Sequence, residues 1–147
     1  MSSVLYTTEI LRLATSIPHL GTLADADAHI ERRSPICGSR VSIDVALDAA
    51  GRVAAFAQTV NACALGQAAA ALLGAHVMGR SLVELEAATD ALTAYLSGNR
   101  EDPGTWPGLS IFAAARPHTA RHASIRLPFE AATAAVAEAL QARRHAA

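Results

Sequence analysis

Apolar and polar positions change period several times along this chain. Leu5, Ile10, Leu13 and Ile17 fall at roughly helical intervals and Pro18 follows them, so a first helix is expected to stop there. The next stretch, from Pro18 to Ser34, is polar and irregular, with a short strand expected around His29–Arg32. Val41, Ile43, Val45 and Leu47 then alternate with Ser42, Asp44 and Ala46, the period of a half-buried strand. Asp48-Ala49-Ala50-Gly51 is a turn signal, and Val53–Val60 reads as the returning strand of a hairpin.

After Asn61 the pattern turns helical. Ala64–Val77 is almost wholly Ala and Leu, apolar nearly all round, which predicts a buried helix that Gly79 ends. Ser81 and Glu84 have capping-box spacing, and Leu82, Leu85, Leu92 and Leu96 share one face of the helix that follows. A polar loop runs over residues 97–108, and Leu109–Ala115 reads as a short helix. The segment Arg116–Arg126 is polar and His-rich. Pro128 suits the first turn of a last helix that aligns Phe129, Val136 and Leu140. A helix, a small antiparallel sheet and then several helices make an α+β domain with helices packed on one face of the sheet.

Composition narrows the classes. The 147 residues are enough for a single domain, expected over 1–147, and 52% of them are hydrophobic, which supports a real core. The formal net charge is −1, which gives no electrostatic reason to expect nucleic acid or an anionic membrane as a partner. The apolar stretch Val53–Val77 is interrupted by Gln58, Asn61, Gln67 and His76 and does not read as a membrane span. The first residues lack a basic segment followed by an apolar block, so a cytoplasmic location is expected. In that compartment two cysteines are expected as free thiols or metal ligands rather than a disulfide.

Cys63 falls at the joint between the second hairpin strand and the Ala-rich helix. Free N–H groups and the positive end of the helix dipole favour thiolate there, which suits a nucleophile or a metal ligand. The alternative is a small buried hydrophobe. Cys37, beside Gly38, precedes the first clear strand as Cys63 follows the second, so an antiparallel hairpin puts both points at one end of the sheet. Their separation is not a zinc-finger spacing, but it permits a shared metal site. His122, in Thr119-Ala120-Arg121-His122-Ala123-Ser124, is a third candidate, against a plain surface histidine. No glycine-rich nucleotide loop and no nucleophile elbow are present, which argues against a dehydrogenase or hydrolase.

Taken together, Ile17-Pro18-His19-Leu20-Gly21, Cys37-Gly38-Ser39, the hairpin, Ala62-Cys63-Ala64 opening a helix of small residues, its Gly79-Arg80-Ser81-Leu82 exit, and His122-Ala123 before the last helix resemble the iron–sulfur cluster scaffold family of the IscU, SufU and NifU N-terminal type. The resemblance covers nearly the whole chain. It implies a three-stranded antiparallel sheet covered on one side by helices, with the thiols at one tip. It implies a non-enzymatic scaffold or carrier that takes sulfur from a cysteine desulfurase, assembles a [2Fe–2S] cluster or binds iron or zinc, and passes its cargo to recipient iron–sulfur apoproteins, as a monomer or weak homodimer. The ligands it implies are Cys37, Cys63 and His122, with Ser39 where the family has Asp.

The chain departs from that pattern at Ser39 and at Ala123, which stands beside His122 where the family has a third cysteine. A cluster or a closed zinc site takes four protein ligands. The fourth is expected from Ser39, from His118 or His19, from water, or from a second chain. Two further functions stay open on these residues: a persulfide-accepting sulfur relay through Cys63 or Cys37, and an adaptor that keeps the fold without loading a cluster.

Overall fold

The computed structural model describes residues 5–36 and 38–146; the candidate ligand Cys37 lies outside the described residues. Strands β1 (Ala28–Arg33), β2 (Arg40–Leu47) and β3 (Val53–Asn61) form one antiparallel sheet in that order, as the resemblance implied. The alternation read from the sequence sets the register. Val41, Ile43 and Val45 face Val60, Gln58 and Phe56 across the β2–β3 ladder, and all three β2 side chains are fully buried.

Among the described residues four α-helices accompany the sheet: α1 (Thr8–Ala14), α2 (Ala64–His76), α3 (Leu82–Leu96) and α4 (His122–Ala146). Helix α4 packs on β1 and β2, α2 packs on β3, and α1 and α3 pack in turn against α2 and α4. Helix α2 is apolar on every side because it is enclosed: Leu65, Ala68, Ala69, Ala70 and Leu73 have no exposed surface. Ile43, Val45, Leu65, Leu73, Ile125 and Phe129 belong to one continuous core.

The opposite face of the sheet is also partly covered. Leu20 makes a parallel bridge to Gln58 along the free edge of β3, with Gln58 N–H donating to the His19 carbonyl and Gly21 N–H to the Gln58 carbonyl. The chain then passes over Asp44, whose carboxylate accepts the Leu23 N–H at 3.0 Å, and joins β1, where Asp27 accepts the Leu47 N–H at 2.7 Å. Asp44 points away from the core by strand parity, yet it is buried by this crossing segment.

The exit from α2 has a specific mechanical role. Gly79 takes φ +82°, a left-handed turn that glycine adopts without strain. Gly79 N–H then donates to the Val53 carbonyl and Val53 N–H to the Arg80 carbonyl, tying the turn to the start of β3. Ser81 caps α3 in a full capping box with Glu84, as the spacing predicted. Arg52 and Arg80 both bind the Glu84 carboxylate, and Arg80 also lies 4.8 Å over the Trp106 ring.

The sequence pattern misplaces the start of the last helix. Helix α4 begins at His122, and Pro128 stands inside it rather than in its first turn. Proline lacks the N–H that would bond the carbonyl four residues back, so the Ser124 carbonyl is left without its helical partner. Leu109–Ala115 is helical as expected, but of the tighter 3-10 kind.

Candidate functional site

The site lies at the end of the sheet where Arg40 pairs with Asn61, the last rung of the β2–β3 ladder. Two residues beyond that rung, Cys63 is the N-cap of α2, in extended conformation with φ −66° and ψ 170°. The joint follows from sequence: β-branched Thr59 and Val60 close the strand, and an Ala-rich run opens the helix. Cys63 gives its carbonyl to the helix, accepting the Gln67 N–H at 2.9 Å, but its side chain makes no capping bond. The thiol is free and half-buried, and its sulfur lies 3.2 Å from Ser124 Oγ.

Ser124 is the residue that sequence reasoning missed. It lies in the first turn of α4, is 1% exposed, and its Oγ lies 3.2 Å from Cys63 Sγ and 3.2 Å from Ser39 Oγ. Three segments distant in sequence thus bring one thiol and two hydroxyls together. Gly66 makes the approach feasible: a Cβ there would come within 2.6 Å of Ser124 Oγ and 3.1 Å of the Ser124 carbonyl. The signal available in the sequence was helical phase. Once α4 starts at His122, Ser124 stands in its first turn, one position beyond the Ala123 that the resemblance singled out.

Ser39 is 4% exposed and precedes β2, with its carbonyl accepting the Ser34 N–H at 2.8 Å. His122 is also buried, at 6%. Its Nε2 lies 2.9 Å from the Ala115 carbonyl and 3.0 Å from that of Arg116, so this nitrogen carries the proton and donates to the end of the 3-10 segment Leu109–Ala115. His19 sits beside β3 with its ring edge-on to Phe56, roughly 16 Å of strand from Asn61. His118 is exposed at the start of the short turn Thr119–Arg121. Among the described residues no three His, Cys, Asp or Glu side chains gather as a metal-holding group. Chemically, the described part of the site offers one soft sulfur donor and two hydroxyl oxygens.

Among the described residues no helix is long and apolar enough to cross a membrane. No curated protein matches the chain. Among solved structures it is similar to the N-terminal part of a nitrogen-fixing NifU-like protein from Brucella abortus, with 34% identity over 93% of this chain and 95% of that one, at a TM-score of 0.87. It shares its fold with a protein from Fervidobacterium islandicum AW-1 named as an iron–sulfur cluster assembly scaffold for the SUF system, at 17% identity, 90% and 96% coverage and a TM-score of 0.82. A model of the NifU-like N-terminal domain matches residues 5–143, and the chain belongs to that family.

Proposed function

We propose that this chain is an iron–sulfur cluster assembly scaffold or carrier. Its cargo is iron or a [2Fe–2S] cluster, with zinc as a further occupant, held at the tip of the sheet. Cys63 and Cys37 supply the thiolates, and Ser39, which stands where the family has Asp, backs Cys63 through Ser124. The observation that supports this reading is the Cys63 sulfur: half-buried, unused by the helix it caps, and located at the joint where the family resemblance puts a ligand. The chain acts by binding rather than by catalysis, as one domain over 1–147 working in the cytoplasm. A cysteine desulfurase supplies sulfur and iron–sulfur apoproteins receive the cargo.

Each residue contributes in a way its position allows. Thiol-to-metal bonding releases the thiol proton to solvent, and a half-exposed sulfur permits that exit. Helix α2 fixes the Cys63 backbone through its first-turn bond to Gln67, so the sulfur is presented from a rigid element. His122 supports the site from behind, by tying the start of α4 to the preceding 3-10 segment.

The test is iron and acid-labile sulfide content per chain after anaerobic reconstitution, on the native protein and Cys63→Ser together. Equal iron and sulfide in the native protein, lost in the variant, is the expected result. Zinc alone, or no metal in either, overturns the reading in favour of a sulfur relay or an adaptor.

A further inference from the structure

The geometry points to Ser124 as the positioning residue for the Cys63 sulfur: its hydroxyl, backed by Ser39, donates a hydrogen bond to the thiolate that holds the cargo. This inference rests on the scaffold reading above and adds a residue to it.

A buried hydroxyl requires a hydrogen-bond partner. Ser124 Oγ is almost fully enclosed, and among the described residues its contacts at hydrogen-bond distance are Cys63 Sγ and Ser39 Oγ, each at 3.2 Å. A hydroxyl donates one proton and accepts others. With Cys63 as a thiolate, sulfur can only accept, so the Ser124 proton must point to it. Ser124 Oγ is then an acceptor toward Ser39, whose hydroxyl donates in turn. The order Ser39 to Ser124 to Cys63 satisfies the proton of each hydroxyl and places one donor on the sulfur. On loading, Cys63 releases its thiol proton to solvent and Ser124 keeps its own.

Two further features hold this donor in place. Gly66, in the first turn of α2, leaves the space that Ser124 occupies beside Cys63. Pro128 removes the helical N–H partner of the Ser124 carbonyl, and that carbonyl lies beside Gly66 of α2, 3.1 Å from where a Cβ would stand. Hydrogen bonds to cluster sulfurs raise the reduction potential of the centre, because they withdraw charge from the thiolate. The same withdrawal moves sulfur-to-iron absorption to higher energy.

The experiment compares the native protein, Ser124→Ala, Ser124→Thr and Ser39→Ala after anaerobic reconstitution with iron and sulfide. The readouts are absorption, reduction potential, metal content and thermal midpoint. Ser124→Ala is expected to load the same iron and sulfide, with its charge-transfer band shifted to longer wavelength and its potential lowered. Ser124→Thr, which keeps the hydroxyl, restores both. Ser39→Ala shifts both in the same direction by less, and it carries the test if a Ser124 variant does not fold. A native protein that loads, with variants that differ only in thermal midpoint, overturns the role of Ser124 and leaves the scaffold reading standing. A native protein that takes up no iron or sulfide overturns both.

Discussion

Gly66 and Ser124 are complementary across the α2–α4 contact: the missing Cβ of one is the space that the hydroxyl and carbonyl of the other occupy. A Cβ at Gly66 would lie 2.6 Å from Ser124 Oγ, 2.8 Å from Ala62 Cβ and 3.1 Å from the Ser124 carbonyl oxygen. The hydroxyl can rotate away, but the carbonyl and Ala62 cannot. Gly66→Ala gains about 1 kcal/mol of helix propensity and loses about 1–3 kcal/mol to overpacking. We expect a net loss of about 1 kcal/mol, or a thermal midpoint lower by roughly 2–4 °C. A midpoint that rises instead would mean that Ser124 is not held against α2.

His122 is expected to matter for stability and not for loading. Its Nε2–H serves the carbonyls of Ala115 and Arg116, and its ring is buried. His122→Ala removes that donor and leaves a void, for a loss of about 2–3 kcal/mol. Iron per folded chain should match the native protein, while Cys63→Ser loses it. Denaturant melts paired with metal analysis separate the two effects. Loss of iron from a stable His122→Ala chain would return this histidine to the ligand set.

The sheet and the α2–α3 turn were legible because each rests on a local rule. Alternation at Val41, Ile43, Val45 and Leu47 fixes a strand face, and Ser81 with Glu84 fixes a helix start. Cys63 was legible for the same reason, since a change of period marks a joint. The company it keeps was not. Ser124 touches Cys63 only because Gly66 and the start of α4 bring distant segments together, and Pro128 suggested a helix start six residues too late. His122 is expected as a ligand because an imidazole near a thiol suits metal chemistry; that its Nε2 faces the Ala115 and Arg116 carbonyls depends on tertiary packing that the sequence pattern does not encode.

The crossing segment on the outer face should depend on Asp44. This carboxylate accepts the Leu23 N–H at 3.0 Å and bonds His29 Nδ1 across the β1–β2 ladder. Asp44→Ala removes an acceptor that no neighbouring apolar group replaces, and about 1–3 kcal/mol of stability should go with it. Amide hydrogen exchange gives the local readout: Leu23 should lose protection while Ile43 and Val45 keep theirs. Unchanged exchange at Leu23 would show that the segment is held by Leu20 and Gln58 alone.

Glu84 gives the fold a defined acid response. The Ser81 backbone N–H, then Arg52 and Arg80, hold its pKa at about 2, well below the ordinary 4.5. A lowered carboxylate pKa contributes stability that is fully present above the ordinary value and is lost as pH falls toward the folded one. The window is therefore about pH 4.5 down to 2. The side chain is 39% exposed, so solvent screening reduces the contribution to about 1 kcal/mol, the scale of an exposed ion pair with a helix cap added. Glu84→Gln should be less stable than the native chain by that amount at pH 7, and the two should converge as pH approaches 2. Added salt should narrow the gap at pH 7, because the Arg52 and Arg80 contacts are open to solvent while the backbone cap is not charge-paired. A gap that stays constant from pH 7 to pH 2 would assign the whole effect to the shape of the cap and none to the charge on Glu84.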